Sequence, residues 1–257
     1  MTEKNARVRV KLCGLREPWQ VELAAELGVE FIGINFAADS RRRVTVEEAK
    51  ALVAALGRRP TPERIILHEA LPPVRWFERC ALAFDERLSE SRPLTVGVFV
   101  DQPAPLINGI ADAVGLDVVQ LSGSEPWEQA LVIQRPVIKA IHVAAGMPPD
   151  AIVAECEIGT AAACLLDTAV PGEQGGTGKV FDWEVAREVA RQLPCFLAGG
   201  LTPENVTSAV RLVRPWAVDV SSGIETNGRK DAARMREFVE AVRAAAATLR
   251  APEERGP

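Results

Sequence analysis

Apolar and polar positions alternate between two rhythms from one end of the chain to the other. Short, nearly continuous apolar runs read as strands at Val8–Cys13, Phe31–Phe36, Thr95–Val100, Val118–Leu121, Val137–Val143, Ala162–Asp167, Cys195–Ala198 and Ala217–Val220. Between them, apolar residues fall at helical spacing, for example over Trp19–Leu27, Val46–Leu56, Leu106–Val114, Trp183–Gln192 and Glu204–Val213, and Asp231–Leu249 closes the series. Eight strands, each followed by a helix, in 257 residues predict an α/β fold: a single (β/α)8 TIM barrel, with residues 1–257 as one domain. A doubly wound open sheet is the competing arrangement, but no GxGxxG follows the first strand. The last residues, Ala251–Pro257, are expected to fray.

One stretch breaks the rhythm. Residues 58–94, Arg58 to Leu94, join the second helix to the third strand where about 2–6 residues normally suffice. With Ile65, Ile66, Leu67, Trp76, Phe77, Leu82 and Phe84, the segment is too apolar for a disordered linker. Its place before a strand puts it on the barrel face away from the active site, where additions bear on stability or assembly. An added helix packed on the barrel or a subunit contact is expected, with a distant regulatory element as the alternative.

Composition narrows the class. The chain is 47% hydrophobic and 25% charged, enough to bury a large core. A net charge of −5 argues against a nucleic-acid footprint. The N-terminal MTEKNARVRVKL has no apolar targeting core and no apolar run approaches about 18 residues, so a soluble, cytoplasmic protein without membrane contact is expected. Cys13, Cys80, Cys156, Cys164 and Cys195 show no CxxC spacing, and only His68 and His142 exist. Neither a disulfide framework nor a metal centre is expected, and no cofactor.

The candidate chemistry gathers where strands end. In FLAGGLTPENV (Phe196–Val206) and AVDVSSGIET (Ala217–Thr226), an apolar strand stops at small residues, and in the first a helix start follows. Glycines let backbone approach an anion, and free N–H groups at a helix start hold its charge. Two such turns in succession match the phosphate site after the seventh and eighth strands of a barrel, with Gly199, Gly200, Ser222 and Gly223 as its backbone. Cys13 ends the first strand and Asp167 the sixth, so both can point into one pocket at the carboxyl ends of the strands. Lys11 shares the face of Cys13 and would favour its thiolate, whereas Asp167 needs partial burial to keep a proton near neutrality. The bland readings stand beside these: a strand cysteine as a small buried hydrophobe, an aspartate as a turn residue, and Arg41–Arg43 as a solvated run. Gly175–Lys179 is not a Walker A loop, because Glu173 and Val180 occupy two of its required positions; a loop closing over substrate is preferred.

Taken in order, several strings resemble the phosphoribosylanthranilate isomerase family of tryptophan biosynthesis. They are Val10-Lys11-Leu12-Cys13-Gly14-Leu15, Ser40-Arg41-Arg42-Arg43-Val44-Thr45, Val96-Gly97-Val98-Phe99-Val100, Val118-Val119-Gln120-Leu121, Leu165-Leu166-Asp167, Pro171–Trp183 and the two phosphate turns. The resemblance covers nearly everything except the Arg58–Leu94 excess and the tail. It implies a cofactor-free Amadori rearrangement of N-(5-phosphoribosyl)anthranilate to the 1-deoxyribulose phosphate. It also implies Cys13 as general base, Asp167 as general acid and Arg42 as the partner of the anthranilate carboxylate. Gln120, Gly176 and Asp219 become further substrate contacts, Asp219 being structural or on the ribose side. The partner is a small phosphorylated molecule, and a homo-oligomer is allowed.

The chain departs from the family pattern in places. Ser122 stands where the family has histidine, while His142 at the end of the fifth strand either restores that group or is an ordinary polar residue. Ala37-Ala38 replace Tyr-Pro, leaving Phe36 to pack on an aromatic substrate, and Asn35 interrupts an apolar strand. Two alternatives to the family activity follow: an isomerase for another aminated sugar phosphate, or a non-catalytic phosphoribosyl-binding module. Retention of Cys13 and Asp167 argues against the last.

Overall fold

A computed structural model describes residues 7–57, 73–156, 159–168 and 182–249. In order come β1 (Arg9–Cys13), α1 (Pro18–Glu26), β2 (Phe31–Asn35), α2 (Val46–Ala54), α3 (Pro73–Glu90), β3 (Leu94–Phe99), α4 (Ala104–Val114), β4 (Val118–Leu121), α5 (Gln129–Val132), β5 (Val137–Val143), α6 (Pro149–Glu155), β6 (Ala163–Thr168), α7 (Trp183–Gln192), β7 (Cys195–Leu197), α8 (Val206–Val213), β8 (Ala217–Val220) and α9 (Ala232–Thr248). The eight strands form one closed parallel barrel in chain order, with β8 pairing back onto β1. Every strand is buried along nearly its whole length, which is why each reads as an apolar run rather than an alternation.

Local chemistry sets the helix ends. Thr45 and Glu48 form a reciprocal capping box that starts α2, Asp231 accepts from the N–H groups of Ala233 and Arg234 to start α9, and Gly115 at φ 77° ends α4. The expected helix over Glu204–Val213 begins later, at Val206. Its opening residues form a turn because the Asn205 side chain bridges backward, accepting from Thr202 N (2.8 Å) and donating to Gly200 O (2.9 Å).

Helix α3 lies against the N-terminal ends of the strands. Trp76 Nε1 donates to the carbonyl of Ala161, just before β6, at 2.8 Å. The Phe84 ring sits 5.9 Å from Phe31 at the start of β2 and 6.0 Å from Trp216 just before β8. Phe196 completes the aromatic cluster, 5.4 Å from Phe31 and 5.2 Å from Trp216. Asp85 receives both Nε and Nη2 of Arg9, at 2.9 and 2.6 Å, while the Arg9 guanidinium stacks over Trp216 at 4.6 Å. An amphipathic helix thus covers the barrel floor with its apolar side and an ion pair at its edge. The earlier part of the long connection, including Ile65, Ile66 and Leu67, lies outside the described residues, as do His68, the loop through Gly176 and the tail.

Candidate active site

The opposite end of the barrel gathers the candidate residues. Lys11 is wholly buried inside it and donates to Asp219 Oδ2 across the β8–β1 seam at 2.9 Å. Burial works against the Lys11 cation, but Asp219 and then Cys13 outweigh it and raise its affinity for a proton. Cys13 sits one pleat above Lys11 at the carboxyl end of β1, opposite Gly33. A Cβ on Gly33 would fall 2.6 Å from Cys13 Sγ, so this glycine makes the space the thiol occupies. Lys11 favours the thiolate, as its place in the string suggests, but it does not act alone. Lys11 does pull the Cys13 pKa down, yet burial of the thiol dominates and the pKa ends above its ordinary value.

Asp167, near the end of β6, is buried enough for its pKa to rise to about 6. Desolvation drives the rise; a hydrogen bond from Thr168 N (2.8 Å) and the nearby His142 oppose it. His142 is the register partner of Asp167 on β5, and its Nε2 lies 2.9 Å from the Ser122 carbonyl oxygen. Gln120 on β4 donates to the Ser122 hydroxyl at 2.8 Å, leaving its own Oε1 buried without a partner. Asp219 Oδ1 is likewise buried and unpaired. Two orphaned acceptors in one small mouth cost free energy unless a ligand donates to them.

Arg42 crosses Gly14 directly after Cys13: a Cβ there would meet Arg42 Cδ at 2.5 Å, and Gly14 has φ 73°. Its guanidinium grips Glu225 through two parallel bonds, Nε to Oε1 (2.6 Å) and Nη2 to Oε2 (3.0 Å). Arg41 and Lys230 donate to the same carboxylate at 2.8 and 3.0 Å, so three cations share one anion. Burial opposes ionisation of Glu225, but Arg42 and Lys230 prevail and hold its pKa below the usual value. A guanidinium held at one edge still has N–H groups free for a second carboxylate. Glu225 and Lys230 were not singled out from sequence, although a signal existed. Asn227-Gly228, with φ 52° and 75°, is a two-residue hairpin turn that pairs Lys230 with Glu225.

The two glycine-bearing turns meet. A Cβ on Gly223 would lie 1.8 Å from the Leu201 carbonyl oxygen, so the turn after β8 is pressed against the turn after β7. Gly199 and Gly200 have φ 82° and 64°, conformations that suit glycine. Ser222 and Gly223 open a short 3-10 helix, so their N–H groups have no acceptor within it. Cys13, Asp167, Arg42, Gln120, Asp219 and both turns therefore share one end of the barrel; Gly176 lies outside the described residues.

Other expectations are redirected. Phe36 is buried, with its ring stacked on Phe99 at 5.1 Å, so it is committed to the core rather than open as a platform. Asn35 earns its place in β2 by accepting from Ala37 N at 2.9 Å, which turns the chain out of the strand. Asp101 accepts from Ser124 N (2.7 Å) and Oγ (3.0 Å), while Glu125, paired with Lys139 at 3.1 Å, accepts from Asp101 N and Gly123 N. These groups fix the loop after β4. Among the described residues, no group of three or more His, Cys, Asp or Glu could hold a metal ion, and no helix is long and apolar enough to cross a membrane.

Residues 78–241 match the family model described as N-(5'phosphoribosyl)anthranilate (PRA) isomerase. The chain is 37% identical over 241 residues to the N-(5'-phosphoribosyl)anthranilate isomerase of Dehalococcoides mccartyi, covering 92% of this chain and 96% of that protein. It is 38% identical to a multifunctional tryptophan biosynthesis protein of Phycomyces blakesleeanus, where 93% of this chain spans only 33% of the relative. Its fold is similar to phosphoribosyl anthranilate isomerase from Thermotoga maritima, with a TM-score of 0.71, 32% identity, and coverage of 93% of this chain and 100% of that one. A second solved isomerase, bound to reduced 1-(o-carboxyphenylamino)-1-deoxyribulose 5-phosphate, gives a TM-score of 0.68 at 30% identity, with the same coverage. From its matched core, its near end-to-end relatives and its closed barrel, the chain belongs to the N-(5'-phosphoribosyl)anthranilate isomerase family.

Proposed function

We propose that this protein catalyses the Amadori rearrangement of N-(5-phosphoribosyl)anthranilate to 1-(2-carboxyphenylamino)-1-deoxyribulose 5-phosphate, a step of tryptophan biosynthesis. The observation that carries the reading is the pairing of Cys13 with Asp167, whose pKa is raised to about 6, at one barrel end around the buried Lys11–Asp219 pair. In this reading Asp167 donates its proton to the furanose ring oxygen as the C1–O bond breaks, giving an open-chain iminium. Cys13, as thiolate, then removes the C2 proton, and the resulting enolamine tautomerises to the ketose. No atom is gained or lost, and no cofactor is required.

The protonation states set a condition on this chemistry. The Asp167 pKa of about 6 and the raised Cys13 pKa make carboxylate plus thiol the resting form near neutrality. The working form, carboxylic acid plus thiolate, holds the same number of protons and is a minor tautomer of it. The Lys11 cation beside Cys13 stabilises the thiolate when it forms. Arg42 is read as the anchor of the anthranilate carboxylate and the Gly199-Gly200 and Ser222-Gly223 turns as the phosphate cradle. Gln120 Oε1 and Asp219 Oδ1 would accept from sugar hydroxyls, and Gly176 is kept as a substrate contact on the family resemblance alone.

The test is rescue of a tryptophan-requiring strain lacking this isomerase, followed by turnover of N-(5-phosphoribosyl)anthranilate by the purified protein. Failure of both, with the protein folded and abundant, would return the chain to another aminated sugar phosphate.

A further inference from the structure

The substrate proposed above is anionic at both ends, an aryl carboxylate and a phosphate, and one side chain joins the two parts of the protein that would hold them. Glu225 directly follows Ser222–Ile224, the 3-10 turn whose N–H groups are read as part of the phosphate cradle. The hairpin after it folds Lys230 back as its register partner. Lys230 Nζ donates to the Ser221 carbonyl at 2.9 Å and to Glu225 Oε1 at 3.0 Å, and Asp231 N donates to Ile224 O at 3.0 Å. The Glu225 carboxylate and the phosphate turn therefore form one unit, with the Glu225 and Lys230 side chains only 4% and 3% exposed. From the far side Arg42, 183 positions away, reaches the same carboxylate with Nε and Nη2 at 2.6 and 3.0 Å. Those bonds occupy one edge of the guanidinium. Both N–H groups of Nη1 and the second of Nη2 remain, an edge that fits another carboxylate side by side. Packing across Gly14 places the Arg42 stem as far as Cδ, and Glu225 places the head.

We propose that Glu225 is a positioning residue that sets the span between the two anchors: it holds the free edge of Arg42 at a fixed distance from the phosphate turn. A molecule engages both only if its carboxylate and phosphate are that far apart. This inference rests on the reading of Arg42 as the carboxylate anchor and of the glycine turns as the phosphate cradle. Glu225 touches no reacting atom in that reading, so its effect is on how the substrate sits. The role needs both the charge and the length of glutamate. Glutamine would turn an amide NH2 toward the donors Arg41, Arg42 and Lys230. Aspartate keeps the negative charge among them but draws it back by one methylene.

Calorimetric titration with two probes tests the span: the ketose product, which carries both anionic groups, and ribulose 5-phosphate, which carries the phosphate alone. In Glu225→Gln and in Glu225→Asp the affinity for the ketose should fall roughly tenfold, the worth of one misplaced charge-assisted hydrogen bond. Affinity for ribulose 5-phosphate should stay within about twofold of the parent, because the phosphate turn is untouched. In an Arg42→Ala background neither change should add to the loss, since the group it acts through is gone. Glu225→Asp preserves the charge balance of the cluster, so the test survives a misfolded Glu225→Gln. Equal losses for both probes would make Glu225 a support of the phosphate turn and overturn the proposal. Additive losses in the double variants would also overturn it, as would full ketose affinity in Glu225→Asp, which would leave charge rather than position as the cause. Ketose affinity that survives both changes at Glu225 but falls in Arg42→Ala would overturn the span and keep the carboxylate anchor. Normal ketose binding by Arg42→Ala itself would remove the anchor, and the span with it.

Discussion

Removing the Phe84 ring is the sharpest probe of the barrel floor. Phe84 is fully buried, in edge contact with Phe31 and tilted against Trp216, so Phe84→Ala opens a cavity that these two large rings cannot easily collapse into. A buried Phe→Ala change costs about 3–5 kcal/mol. For a domain of this size each kcal/mol lowers Tm by about 2–4 °C, so a fall of roughly 6–20 °C is expected. Leu82, on the same helix but 52% exposed, is the control, and Leu82→Ala should stay within about 0.5 kcal/mol of the parent. Calorimetric unfolding of the three proteins gives the comparison, with kcat at 25 °C measured alongside. The proposed site is at the other rim, so kcat should remain within about twofold of the parent, well under 1 kcal/mol of barrier. A Phe84→Ala protein with unchanged Tm would show that α3 contributes nothing to the floor. Unchanged Tm with a collapsed kcat would place α3 against the substrate.

The remaining expectations concern the mouth. Cys13→Ala and Asp167→Asn should each lower kcat by roughly 10²–10⁴-fold while ketose binding, measured by calorimetry, persists; near-normal turnover in either would remove its assigned role. Arg42→Ala should raise KM more than it lowers kcat, and Glu225→Gln should do the same to a smaller degree, because it loosens the guanidinium without deleting it. Equal kinetics for both variants and the parent would make that ion cluster purely structural. Gly33→Ala should fold yet lose most turnover, since its methyl group would claim the place of Cys13 Sγ; full activity would mean that the thiol has another way to point.

How much of this was readable in the sequence depends on the range of the contact involved. Cys13, Asp167 and the two glycine turns were legible because a strand end followed by small residues is a local pattern, and the closed barrel turns each such end toward one rim. Glu225 was harder to find: its partner Arg42 is 183 residues away, and no periodicity links them. The net shift of Cys13 is hidden from the sequence for a related reason. A lysine two residues away is visible in the string, but the burial that outweighs it is a property of the closed barrel. Nothing in the string reveals that Phe99 stacks on Phe36, so the sequence leaves that ring open to a substrate. The apolar excess of the long connection is evident in the string, while its destination, the rings of Phe31 and Trp216, depends on which strand starts come together.

The seam between β8 and β1 has a consequence for how activity appears during synthesis. Lys11 with Asp219, and Cys13 O with Ser221 Oγ, are each joined across 208 positions of chain, and Arg9 reaches the carbonyl of Trp216 across 207. Contacts of such separation are among the last to form, because closing so long a loop costs entropy before anything is gained. The lysine that stabilises the thiolate is therefore an unpaired cation until the eighth strand arrives. A nascent chain that has made seven strands already carries Cys13, Arg42 and Asp167, yet it has no ring to hold them and no counter-ion for Lys11. Catalytic competence is thus tied to the final strand joining the first, and a chain truncated before Ala217 should be not a weakened enzyme but an inert, aggregation-prone one.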